Sequence, residues 1–334
     1  MNTHSFICHL LHYCLPLLLH SDPLVQRQAG QLLLSTVGND VFTVLRRWLS
    51  NHDRYDIALQ ALRVLERQSG LPVELRPFAG IHIETLGRFR VYIGNQELTS
   101  IQWTQINQNS HSGWQKAQAL LGFLLHRGRG GATVEEILEA VWQRRAKANA
   151  VVRTFSALRN AIRVLGGEHL ADQLVYEQKR FYLLPRYLTV DVDLFVRSVH
   201  LAEQVEEQHG IAAAITHYHH AASLYHGNYL VTLLLHDHDI EDYRHTLLSS
   251  LLYVVDRLSE YYFTQQQLLQ CIEWCRHGIR FDPADEQLTV RLLECYAKQG
   301  DNLAIQRTYR RYCRALRDQP DADDEVVRWM QHWY

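Results

Sequence analysis

The stretch Gln143–Gly167 (QRRAKANAVVRTFSALRNAIRVLGG) constrains this chain more than any other segment. It holds six basic residues, Arg144, Arg145, Lys147, Arg153, Arg159 and Arg163, and no acidic one. Its apolar residues Val151, Val152, Phe155, Leu158, Ile162 and Leu165 recur at three- and four-residue steps, the period of an amphipathic helix. With residues placed about 100° apart, those six share one arc. Arg153, Asn149, Ser156, Asn160 and Ala157 fall on the opposite arc, with Arg163 at its edge. A face of guanidinium and amide groups among small residues suits a DNA major groove. A solvated surface helix is the plain alternative for any basic run, and the flanking sequence has to decide.

The chain has 334 residues, enough for two or three domains with cores of their own. Its net charge of −2 hides an uneven distribution: residues 1–77 sum to +1, 78–186 to +6 and 187–334 to −9. A basic middle beside an acidic end indicates one module that faces a polyanion and another with a different role. Cys8, Cys14, Cys271, Cys275, Cys295 and Cys313 include no C-x-x-C pair. They read as reduced core thiols of a cytoplasmic protein. The apolar run Phe6–Leu19 lacks a basic start and is interrupted by His9, His12 and Pro16. It is too short to span a bilayer and a poor signal peptide, so a buried helix and no membrane association are expected.

Residues 1–77 read as helices. One starts at Asp22-Pro23, with Asp22 as N-cap and Pro23 in the first turn. Others are expected over 41–49 and 53–70, with a spacing that resembles a pair of HEAT-type repeats. Leu71-Pro72 and Arg76-Pro77 mark a boundary. From Ile81 the apolar period becomes that of a strand pair turning at Gly94-Asn95, with Leu98 and Ile101 beginning another short strand. Thr104–Gly113 reads as a loop, and Gln115–Arg127 as a helix stopped by Gly128. Thr133 and Glu136 form the capping box of a short helix. After the basic helix, Gln173–Leu184 reads as a hairpin with Glu177–Arg180 at its tip.

This order of elements resembles the OmpR-like winged helix-turn-helix, and most closely the DNA-binding domain of the SARP (antibiotic regulatory protein) transcriptional activators. The matching residues are Leu86-Gly87-Arg88-Phe89-Arg90-Val91, Lys116-Ala117-Gln118-Ala119-Leu120-Leu121, then Val134, Ile137, Leu138 and Val141-Trp142, and finally Leu158-Arg159 and Leu165-Gly166. Where that family usually has Gly-Tyr-Arg-Leu in its wing, this chain has Arg180-Phe181-Tyr182-Leu183. A second resemblance runs through Val192-Asp193-Leu194-Phe195, Ala222–Leu230, Phe281-Asp282-Pro283, Tyr296–Asp301 and Tyr309–Tyr312. It is similar to the bacterial transcriptional activator domain, a bundle of tetratricopeptide-like helix pairs. The expected class is mainly α: a HEAT-like helical segment (1–77), a winged helix-turn-helix with small β-sheets (78–186), and a TPR-like all-α bundle (187–334).

Such a resemblance implies a regulator that binds direct repeats near a promoter and recruits RNA polymerase, with the acidic repeat domain supporting self-association. Within it, Arg153 suits a guanine edge, and Asn149 and Asn160 suit adenine. Ser156 or Thr154 suits base or phosphate, and Arg144, Arg145, Lys147 and Arg163 suit phosphates. Lys179 and Arg180 on the hairpin suit backbone or minor groove. Arg159 lies close to the buried arc and reads equally as structural or DNA-contacting.

No catalytic constellation stands out, and no cofactor is expected. The chain has no phosphate loop, no H-E-x-x-H and no G-x-S-x-G, and only four lysines. His217-Tyr218-His219-His220 and His236-Asp237-His238-Asp239 invite a metal reading, but the first sits in an Ala-rich helix and the second in a polar turn. A hydrolase using these histidines is the weakest alternative. A protein-interaction scaffold with a degenerate winged helix is the stronger one.

Overall fold

The computed structural model describes residues 3–20, 22–38, 41–42, 44–45, 58, 61–62, 64–65, 80–94, 96–107, 113–317, 321 and 323–333. The chain divides into two compact units, residues 1–195 with 223–244, and residues 196–222 with 245–334.

In the first unit, α1 (Thr3–Leu18) and α2 (Pro23–Val37) come first. The Asp22 carboxylate accepts from the Leu24 N–H at 2.8 Å, and Pro23 occupies the first turn of α2, where its missing N–H costs nothing. Ile7, Leu11, Cys14 and Leu18 bury against Ala29 and Leu33, and Val41, Phe42, Leu45, Ala58, Leu62 and Leu65 join the same cluster. Most of the helices expected over 41–49 and 53–70, and the boundary at Leu71-Pro72 and Arg76-Pro77, lie outside the described residues.

Next, β1 (Ile81–Glu84) pairs antiparallel with β2 (Arg90–Ile93), which pairs with β3 (Gln96–Glu97). Ile81, Ile83, Val91 and Ile93 alternate into the core as a half-buried strand pair requires. The short strand expected from Leu98 and Ile101 is instead a helix, α3 (Ser100–Ile106), which also takes Thr104 out of the expected loop. Its cause is local: Thr99 accepts from the Gln102 N–H and the Gln102 side chain accepts from the Thr99 N–H, a capping box. Ile101 remains exposed, while Trp103 is buried against Trp114 with ring centroids 5.4 Å apart.

The helical core comprises α4 (Trp114–Arg127), β4 (Ala132–Thr133), α5 (Val134–Trp142), α6 (Ala148–Gly166) and α7 (Glu168–Ala171). Thr133 and Glu136 make the expected capping box, at 3.2 and 2.7 Å. The hairpin β5 (Leu174–Glu177) and β6 (Arg180–Leu183) joins β4 in a sheet of order β4-β6-β5. β7 (Leu188–Val190) then returns parallel to β1 and completes the order β3-β2-β1-β7.

The hairpin tip is the two-residue turn Gln178-Lys179, with φ of +49° and +61°. Two left-handed residues in succession match the twist of the flanking strands but favour Asn-Gly over longer side chains. Lys179→Gly is therefore expected to stabilise the first unit by about 1 kcal/mol, a left-handed penalty of ~1–2 kcal/mol offset in part by glycine's entropy. A chemical-denaturation midpoint that falls instead would show that the tip is not strained.

Residues 223–244 pack against this winged-helix framework. Leu86 bridges Tyr229, the Leu230 N–H donates to the Thr85 carbonyl at 2.8 Å, and the His236 N–H donates to the Ala140 carbonyl at 3.0 Å. Gly87 (φ +89°) allows this approach, since a Cβ there would lie 2.9 Å from the His226 carbonyl carbon. At the start of α8 (Asp191–His209), the buried Asp191 carboxylate accepts from Thr85 N–H and Oγ1–H, Leu86 N–H and Val192 N–H at 2.6–3.0 Å. Burial pushes its pKa up, against the opposing effect of these four donors.

The second unit contains α9 (Ile211–Leu224) through Ala222, α10 (His238–Thr264) from His245, α11 (Leu268–Phe281), α12 (Glu286–Gln299), α13 (Asn302–Ala315) and α14 (Glu325–Trp333). α12 packs on α11, α13 and α14. Gly278 permits the approach of α11 to α12, because a Cβ there would meet the Leu288 Cδ1 at 2.3 Å. Asp285 and Asp301 cap α12 and α13 by accepting from Leu288 and Ala304 N–H groups at 2.8 and 2.9 Å. Such small contact residues and capped helix pairs are what tetratricopeptide-like stacking requires.

Candidate nucleic-acid interface

α5 and α6 are joined by a tight turn in which Gln143 and Arg144 are both left-handed, at φ +51° and +59°. The Arg144 N–H reaches back to the Leu138 carbonyl at 2.9 Å, which closes α5 in the manner of a Schellman end. α6 then starts at Ala148 after Lys147, whose side chain makes no capping hydrogen bond. Val151, Phe155, Leu158 and Ile162 are buried, and Phe155 meets Phe181 of β6 edge to face, with centroids 4.7 Å apart. One face of the helix is thereby fixed against the wing.

The exposed stripe of α6 is rotated from the one expected. Thr154, at 2% exposure, and Ala157 are buried, so Thr154 is withdrawn from the candidate contacts. Val152, expected inside, is half exposed at 50%. The solvent stripe is formed by Asn149, Val152, Arg153, Ser156, Arg159 and Arg163, with Asn160 half-buried beside it. The reason is that α6 packs on α4, α5 and β2 together. A wide contact of that kind recruits the small Ala157, Ala161 and Thr154 and leaves Val152 over.

The charged residues fall into two groups. Arg144 pairs with Glu139 at 2.9 Å, Arg159 with Asp172 at 2.6 Å, and Arg163 with the Asn160 side-chain oxygen at 2.6 Å and more loosely with Glu168. Asn160 also donates to Asn107 at 3.4 Å. Arg145, Lys147 and Arg153 make no ion pair among the described residues. Arg153 folds its Nε–H back to the Asn149 carbonyl at 3.2 Å. On the wing, Lys179 is exposed at the tip. Arg180 is turned inward: it donates to the Gly130 and Gly131 carbonyls at 2.9 and 3.2 Å and lies 3.6 Å from Glu136. It clamps the wing to the glycine turn rather than reaching outward for DNA as expected from its place on the hairpin.

Residues 190–329 match the family described as the bacterial transcriptional activator domain. The solved structure of Mycobacterium tuberculosis EmbR in complex with a low affinity phosphopeptide is similar at a TM-score of 0.55 and 17% identity. The likeness covers 75% of this chain and 65% of that one, so the chain spans less than two-thirds of the EmbR chain's length. At that identity it speaks for the fold. Residues 190–329 therefore form a bacterial transcriptional activator domain, in a chain whose fold is similar to that of EmbR. No curated protein sequence matches it.

The histidine clusters are used within the fold. His217 and His220 are buried in α9. The His219 Nε2 lies 2.6 Å from the Tyr262 hydroxyl, and burial pushes its pKa down to about 4. Asp237 and Asp239 bind Arg127 at 2.8 and 3.0 Å. Among the described residues, no group of three or more His, Cys, Asp or Glu side chains is placed to hold a metal ion. Cys14, Cys271, Cys275 and Cys295 are buried thiols and Cys313 is half-buried. No described helix is long and apolar enough to cross a membrane.

Proposed function

We propose that this chain is a SARP-like regulator that binds promoter DNA in a sequence-specific way through α6 and activates transcription in the cytoplasm by contacting RNA polymerase, without catalysis of its own. Its modules are the helical segment 1–77, the winged helix 78–186 and the activator domain 187–334, the last supporting self-association. The observation that carries the reading is the exposed stripe Asn149, Val152, Arg153, Ser156 on a helix fixed by its opposite face. Arg153 is the guanine reader and Asn149 an adenine reader, while Val152 meets a thymine methyl. Arg145 and Lys147, at the positive end of α6, hold phosphates together with its first-turn N–H groups.

Glu139, Asp172 and Glu168, beside Arg144, Arg159 and Arg163, favour the scaffold reading, because carboxylates beside a groove-binding face repel DNA. Magnitudes decide against it. Exposed ion pairs are worth about 0–1 kcal/mol, so these arginines can exchange carboxylate for phosphate at little cost. Binding of a duplex should weaken steeply with salt, with a slope in log–log form of about −0.9 per neutralised phosphate. Replacing Arg145 and Lys147 together with alanine should make that slope shallower by about 2 and weaken all sequences alike. An unchanged slope would remove both residues from the interface.

A further inference from the structure

We propose that the groove between α11, α12 and α13 docks an acidic peptide segment of a protein partner. This deepens the partner-contact part of the reading above and is independent of whether α6 binds DNA. The groove has a volume of about 300 Å³. Arg276 of α11 and Arg307 and Arg311 of α13 stand at its edge, over a floor that includes Ile279, Leu292 and Tyr296. All three arginines are exposed.

Their lack of a carboxylate partner among the described residues sets them apart. In the same unit Arg257 is paired with Glu206 and Arg291 with Asp256. Among the described residues Arg276, Arg307 and Arg311 form no ion pair. Arg276 instead rests its guanidinium carbon 5.7 Å from the centroid of the Tyr296 ring. Asp301, the acidic residue of the lining, is committed to capping α13 through the Ala304 N–H. Three guanidiniums around an apolar floor therefore present charge-assisted donors with no carboxylate acceptor among the described residues, Arg276 bonding only the Tyr296 side chain. The matching ligand carries carboxylates flanking an apolar anchor.

Residues 187–334 sum to −9, which disfavours a long polyanion such as duplex DNA, since its phosphates extend into the surrounding negative field. A short acidic peptide avoids that field, because charges beyond a Debye length of about 8 Å are screened at physiological salt. Local basic charge and apolar contact then dominate its binding.

The test uses the full chain and a fluorescein-labelled ten-residue peptide of Glu, Asp and Leu, with a Lys/Leu peptide of the same pattern as control. Anisotropy should show saturable binding of the acidic peptide only. The Arg307→Glu, Arg311→Glu double variant should weaken it by at least about tenfold. Arg276→Gln should weaken it in the same direction. Both variants should keep the helical circular dichroism and the duplex affinity of the parent. The proposal is overturned by absence of saturable binding, by equal binding of parent and variants, or by variants that lose duplex affinity while peptide binding stays unchanged.

Discussion

Gly87→Ala is expected to destabilise the first unit by about 3 kcal/mol, well beyond an ordinary glycine substitution. Two costs combine. An alanine at φ +89° sits in the left-handed half of backbone space, at about 1–2 kcal/mol. Its Cβ would also lie 2.9 Å from both the carbon and the oxygen of the His226 carbonyl. Those are backbone atoms, so no flexible side-chain end can give way. Gly227→Ala attacks the same approach from the other side, where its Cβ would lie 2.7 Å from the Gly87 Cα. The two substitutions should be strongly non-additive, because either one parts the same two segments. Gly128→Ala is the internal comparison: its φ is +52° and nothing lies within 4 Å, so it reports backbone strain alone. Hydrogen exchange at Leu230 and chemical denaturation would read the difference. Equal effects of Gly87→Ala and Gly128→Ala would contradict the packing of residues 223–244 on the Thr85–Gly87 segment that follows β1.

Arg257→Ala should cost the second unit about 3 kcal/mol near neutral pH. Arg257 and Glu206 have side-chain exposures of only 25% and 18%. Arg257 donates to both Glu206 oxygens and to Glu260. Glu206 also accepts from the Tyr218 hydroxyl at 2.5 Å, so it links α8, α9 and α10. Removing the guanidinium leaves this carboxylate half-buried against Tyr218, and that uncompensated charge is the larger part of the loss. Hydrogen bonding to Arg257 holds the Glu206 carboxyl below its usual value of 4.5. The stabilisation is therefore fully present above pH 4.5 and is lost as pH falls through the lower folded value. The gap between parent and variant should narrow in that acidic range. A gap that stays constant down to strongly acidic pH would show that Arg257 acts by packing alone.

Much of this fold is written in short-range signals. Asp22-Pro23, the Thr133–Glu136 capping box and the change to period two at Ile81 each specify an element through neighbours a few residues away. The same logic was available at Thr99–Gln102, but the apolar Leu98 and Ile101 suggested a strand, and periodicity over so few residues cannot separate the two. Long-range pairings were not legible. Leu86-Gly87 and Gly227–Leu230 each stand out in the sequence, yet nothing local says that they touch. Asp191 binding Thr85 and Leu86 across the sheet is hidden in the same way.

At the candidate interface the basic helix and its buried Phe155 and Leu158 were legible, but the edges of its faces were not. A residue at the margin, such as Thr154 or Val152, is assigned by which neighbouring helices and strands close over it. Arg180 shows a different limit. A basic residue on a hairpin reads as a DNA contact until the Gly130 and Gly131 carbonyls are seen to accept from it.

The central claim is that α6 reads DNA sequence through Arg153. Selection from a randomised duplex pool at moderate salt, run in parallel with the parent chain and Arg153→Ala, tests it most directly. The account predicts enrichment of a repeated motif by the parent and loss or relaxation of one guanine position by the variant, at about 1–3 kcal/mol of discrimination. Failure of the parent to enrich any motif would contradict the account and favour the scaffold, with α6 a solvated face.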